Sequence, residues 1–152
     1  MPIPFDVTDV PTHVASVLVD PIALAQRDLI LSGEVDLGRQ SLLLVGSART
    51  PAVPIGPAGT KLRPWSARVG VRRYLLGHFD TGLAVGANAG WAGHGLPGGD
   101  ALRGHPIADA YAVAKATFAV FTVEAHAGAS VGGTLKQVKV APLYGVGLGA
   151  SF

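Results

Sequence analysis

The stretch Phe121-Thr-Val-Glu-Ala-His-Ala-Gly-Ala-Ser-Val131 changes character at every step. Phe121, Val123, Ala125, Ala127, Ala129 and Val131 fall on one side of an extended chain. Thr122, Glu124, His126, Gly128 and Ser130 fall on the other. Successive side chains of a strand point to opposite faces, so a period of two predicts a β-strand between two unlike environments.

The same reading extends outward from this segment. In the final stretch Val138, Val140, Pro142, Tyr144, Val146, Leu148, Ala150 and Phe152 share one face, against Lys139, Ala141, Leu143 and a row of glycines and Ser151. Thr81–Trp91, Trp65–Leu75 and Leu29–Leu37 alternate in the same way. Ser41–Arg49, Ile107–Ala119 and His13–Ala25 are weaker strands, the last interrupted by Pro21, and they bring the total to eight. Short connections at Gly38–Gln40, Leu76–Asp80 and Ala119–Val120 alternate with longer, Gly- and Pro-rich segments at Thr50–Pro64 and Ala92–Pro106. Short turns at one end and longer loops at the other are the pattern of an up-and-down barrel, from which the short loop-end links Gln26–Arg27 and Gly132–Lys136 depart. Residues 1–12 read as an irregular lead-in and residues 13–152 as one barrel domain.

Composition narrows the setting. Apolar residues make up 49% of the chain and charged residues 14%, with mean hydropathy +0.40. An average soluble domain carries about 25% charged residues. No uninterrupted apolar run approaches the roughly 20 residues of a membrane-spanning helix. Hydrophobicity that is high overall but dispersed with period two points to an all-β, eight-stranded antiparallel transmembrane β-barrel. The net charge of +2 is small and the basic residues are scattered, which argues against nucleic acid as a partner. The absence of cysteine excludes disulfides and thiolate metal sites. The opening residues MPIPFDVTDVPTHV lack the pattern of a secretory signal, so an outer-membrane location requires that signal to have been removed.

The alanine, valine and leucine faces are expected to meet lipid. The opposite faces carry Glu34, Asp36, Arg68, Arg72, Asp109, Lys115, Glu124 and Lys139, expected to form a paired charge network in the lumen. Eight strands leave an interior just wide enough for side chains to fill, so the expectation is a plugged lumen. By height along the strands, Trp65, Trp91 and Tyr111 fall at the loop end, and Tyr74, Phe79, Phe118, Phe121 and Phe152 at the turn end, as two interfacial aromatic girdles.

The ending Tyr144-Gly-Val-Gly-Leu-Gly-Ala-Ser-Phe152 resembles that of the small outer-membrane barrels of the OmpA/OmpX-like type. The resemblance is one of pattern over about residues 13–152. It implies that Tyr144, Val146, Leu148, Ala150 and Phe152 form the sorting signal read by the barrel-insertion machinery. A Gram-negative outer membrane, outer-membrane lipid as surroundings and a non-enzymatic structural or loop-mediated binding role without cofactors are the expectations that follow, with the oligomeric state left open and a monomer favoured.

Three rival functions remain on this reading. A narrow, porin-like channel for small solutes keeps the fold but needs a continuous wet lumen. A lipid-modifying enzyme needs a polar constellation, and Glu124, His126 and Ser130 share one face; they read instead as lumen hydrogen-bonding groups. A soluble lipocalin- or avidin-like binding barrel would invert the polarity and expose an apolar band to water. His94 and His105 bracket a glycine-rich loop with Asp100, but the spacing fits no metal site and no metal is expected. Gly93–Gly99 lacks the Lys and helix of a phosphate-binding loop, and Thr50–Pro64 reads as a stiff external loop.

Overall fold

The computed structural model describes residues 12–49, 53–55, 60–95, 103–134 and 137–152. Its strands are β1 (Ala15–Val19), β2 (Asp28–Asp36), β3 (Gln40–Arg49), β4 (Val53–Ile55), β5 (Thr60–Gly77), β6 (Thr81–Gly95), β7 (Arg103–Phe118), β8 (Phe121–Thr134) and β9 (Gln137–Ser151). One short helix, α1 (Pro21–Ala25), comes after β1. All pairings are antiparallel. The order β3-β2-β1-β9-β8-β7-β6-β5 closes on itself because β3 also pairs with β5. The result is a closed eight-stranded barrel, with β4 a small addition on the loop-end extension of β5.

The β2–β3, β5–β6 and β7–β8 connections lie at one end, together with the start of β1 and the end of β9, and the short β8–β9 connection lies at the other. Each obeys local chemistry. Gly38 turns with φ of 90°, and the Asp36 side chain accepts the Gly38 N–H at 3.0 Å. Between β7 and β8, Ala119 takes φ of 54°, a left-handed conformation in which a side chain is strained.

The segment expected as one strand, His13–Ala25, divides. Asp20 caps α1, its carboxylate accepting the N–H groups of Ile22 and Ala23 at 2.8 and 2.9 Å. Pro21 sits in the first turn of the helix, where its missing N–H costs nothing. Proline cannot donate to a ladder, so the strand stops at Val19 and the chain turns into α1.

Polarity is inverted relative to a water-soluble core. Leu44, Val69, Val71, Val138 and Val140 are each more than half exposed on the outer wall. Arg72, Lys115, Glu34, Glu124 and Asp109 are buried inside. The apolar core proper is small and lies in the lumen, formed by Leu43, Tyr74, Phe79, Ala84, Tyr111 and Val113. Among the described residues no helix is long and apolar enough to cross a membrane, which bears only on helical spans.

Candidate functional site: the barrel interior

Alternation in β5 sends Arg68, Arg72 and Tyr74 inward, and the register of the neighbouring strands brings acids to meet them. Arg72 spans the lumen to Glu124, with Nη1 at 2.7 Å from Oε2 and Nη2 at 3.0 Å from Oε1. This fork-to-fork geometry suits the planar guanidinium. The same Nη1 donates to Glu34 at 3.1 Å. Glu34 also accepts from Lys115 Nζ at 2.9 Å, from the Tyr74 hydroxyl at 3.0 Å and from the Ser41 hydroxyl. Lys115 completes its coordination with Ser16 at 3.2 Å. The Arg72 Nε donates to the Tyr111 hydroxyl at 3.3 Å, and that hydroxyl donates to Asn88 at 3.1 Å. The lattice ties together every barrel strand except β9.

A second pair lies nearer the loops. Arg68 donates to Asp109 at 2.6 Å and to Ser66 at 3.0 Å, and the Ser66 and Ser47 hydroxyls are 2.6 Å apart. Toward the turns, hydroxyls of Thr117, Thr122 and Ser151 form a chain with spacings of 3.0 and 2.6 Å. Across these two assemblies the cations Arg68, Arg72 and Lys115 match the anions Glu34, Asp109 and Glu124 in number. Burying three unpaired charges would be prohibitive, so neutrality inside is what lets these groups be enclosed.

The floor is closed by the β5–β6 turn. Phe79 folds inward and is fully buried, with its ring beneath the Lys115 ammonium at 3.6 Å from the ring centroid. Tyr74 packs edge-on against it. Asp80 in the same turn accepts from the Thr12 N–H at 2.7 Å and from His13 Nδ1 at 2.9 Å, which fastens the chain entering β1 to the opposite side of the barrel. Gly86 allows Tyr111 to lie across the lumen, since a Cβ there would sit 2.6 Å from the ring.

Of the eight charged residues expected in the lumen, the structure joins Glu34, Arg68, Arg72, Asp109, Lys115 and Glu124 into these two assemblies. Asp36 and Lys139 are corrections. Asp36 shares the inward parity of Glu34 but sits at the rim, where it caps the Gly38 turn. Lys139 is exposed near the loop end of β9, where the barrel mouth leaves it accessible to water.

The aromatics also need correction. Tyr74, Tyr111 and Phe79 do not join outer girdles; they are buried in the lumen. The first two obey the alternation of Arg72 and Lys115, and Phe79 goes with the inward fold of its turn. Phe118, Phe121, Phe152 and Trp91 do point outward, and Trp65 is half-buried. Sequence height alone placed all of them at the interface; only the face separates the two groups.

Glu124, His126 and Ser130 are not assembled as a catalytic set. Glu124 is engaged by Arg72, His126 Nδ1 lies 3.6 Å from Glu124, and Ser130 lines a separate pocket near the loops with His105 and Lys139. Among the described residues, no group of three or more His, Asp or Glu is placed to hold a metal. Asp100 lies outside the described residues, and so does the side chain of His94. Residues 50–52 and 56–59 of Thr50–Pro64 and residues 96–99 of the Gly93–Gly99 loop are likewise outside them.

No protein-family model, curated protein or solved structure matches the chain.

Proposed function

We propose that this chain is a small, non-enzymatic barrel of the outer membrane, of the OmpA/OmpX-like type, with a filled lumen and a structural or loop-mediated binding role. One observation carries the reading: charges are folded into the interior while a band of half-exposed apolar side chains surrounds the wall. In water such a band would drive aggregation. In hydrocarbon it is the favourable arrangement, and a closed sheet leaves no strand edge unpaired along most of its circumference. The outward Phe118, Phe121 and Phe152 at the turn end and Trp91 at the loop end suit the two interfaces. The Phe79 floor and the Arg72 lattice favour a structural barrel over an open channel.

The test is heat-modifiability combined with membrane retention. Protein folded in detergent is expected to migrate differently on a gel before and after boiling, and expressed protein to remain in carbonate-washed membranes. A chain that stays monomeric in buffer without detergent would overturn the proposal and favour a soluble ligand-binding barrel.

A further inference from the structure

β1 is too short to complete the wall it begins. It has 5 residues, and it pairs with β9 only from Val19↔Leu148 to Ser16↔Ser151. Above Leu148, β9 continues for a further eleven residues, Gln137–Gly147, paired to β8 on one side only. On its other side stand Asp20 and α1, and among the described residues no ladder joins this part of β9 to β2. The barrel therefore has a seam in the loop half of its wall.

A cavity of about 90 Å³ reaches this seam. Its lining includes Leu143 and Gly147 from the inner face of β9 and Tyr144 and Val146 from the outer face. These residues lie along the stretch of β9 whose edge β1 leaves unpaired. Tyr144 is 75% exposed on the outer wall, and Val19, Asp20 and Ile30 from the far side of the seam line the same cavity, which places the cavity at the seam. Val19, Ile30, Leu43 and Val45 supply the apolar part of its lining, while Asp20 and Ser32 add polar groups to it.

The inner end is polar and incomplete. Asp109 Oδ1, Arg68 Nε and His126 Nδ1 are buried atoms without a hydrogen-bond partner, and all three residues line the cavity. The Asp109 side chain is wholly buried. A buried acceptor left unpaired is costly, so the site is poised for a group that supplies the missing bonds. Arg68 and Asp109 already neutralise one another at 2.6 Å. A charged ligand would leave the interior with an uncompensated charge, whereas a hydroxyl or amide both donates and accepts and adds none.

We propose that the seam between β9 and α1 is the mouth of a lateral binding site for a neutral amphiphile: an aliphatic chain ending in a hydroxyl or amide. The apolar chain occupies the Leu143–Val146 side and the head group reaches Asp109, Arg68 and His126. Entry from the bilayer rests on the proposed membrane location; the pocket itself does not.

The test is an NMR titration of the full chain folded in micelles, tracking the His126 ring with 1-octanol, octane and octanoate as probes. The expected result is a saturable shift with 1-octanol and binding at least about tenfold weaker for octane and octanoate; tenfold corresponds to about 1.4 kcal/mol. Leu143→Trp fills the cavity and is expected to abolish the shift while heat-modifiability persists. Asp109→Asn leaves Arg68 without its counter-charge and is expected to move the preference toward octanoate, which a merely structural role for Asp109 would not do. No saturable shift in folded protein, or an unchanged preference in Asp109→Asn, overturns the proposal. Loss of binding in a chain that stays in washed membranes counts against the pocket alone. Binding that persists in a chain soluble without detergent counts against the membrane location alone.

Discussion

Glu34 accepts from four side chains, yet it gains its place only because Arg72 and Lys115 stand beside it. Removing one partner of a buried pair is far costlier than the pair is stabilising. Arg72→Met is therefore expected to destabilise the barrel by about 3–5 kcal/mol, read from urea unfolding in phospholipid vesicles. Adding Glu124→Gln should recover part of that loss, because one stranded carboxylate is then neutral. Asp80, in a turn outside the strands, supplies a pH dependence. Burial raises its carboxyl pKa, but the Thr12 N–H, His13 and the Thr12 hydroxyl outweigh this and hold it below the ordinary value of 3.8. A lowered native pKa contributes stability that is full above the unfolded value and is lost as pH falls through the native one. The stability difference between the native chain and Asp80→Asn is thus expected to shrink as pH is lowered past 3.8. A difference constant across that window would contradict the clasp. At this scale the inward charges were legible because parity within a strand is local. Tyr74 and Tyr111 carried the same parity signal, and reading them by height alone obscured it.

Five of the long strands were legible as elements because each alternates over about ten residues between turn signals, whereas Ser41–Arg49 and Ile107–Ala119 alternate less cleanly. β1 and α1 were not, because the apolar run His13–Ala25 has no clean period, and Pro21 marks a break without specifying the element beyond it. The helix is decided by Asp20, whose carboxylate caps two of its N–H groups. β4 was missed because it is only 3 residues long, inside a segment whose prolines suggest a loop. The β7–β8 turn was barely marked because Ala119 occupies a position that glycine or asparagine would normally take. That mismatch gives an element-scale prediction. Ala119→Gly should relieve the left-handed strain and raise barrel stability by roughly 1 kcal/mol, offset in part by the greater freedom of glycine in the unfolded chain. A clear loss of stability in the same urea assay would mean that the turn does not hold the conformation described.

For the molecule as a whole, closure, a balanced interior and an apolar wall depend on one another. Closure pairs the backbone along most of the wall, and neutrality inside permits charged side chains to be enclosed. On the proposed membrane location, the apolar wall faces hydrocarbon. The eight-stranded architecture could be read from the number of alternating segments, but the seam could not, since it depends on where one ladder stops. The chain contains no cysteine, so single labels report on single sites. The most direct test of the central claim is spin-label accessibility in vesicles for Val69→Cys, Val71→Cys and Leu44→Cys, all outward and more than half exposed. The account predicts high accessibility to oxygen and low accessibility to a water-soluble nickel reagent at all three. Ready collision with the nickel reagent at these positions would place the wall in water and contradict it.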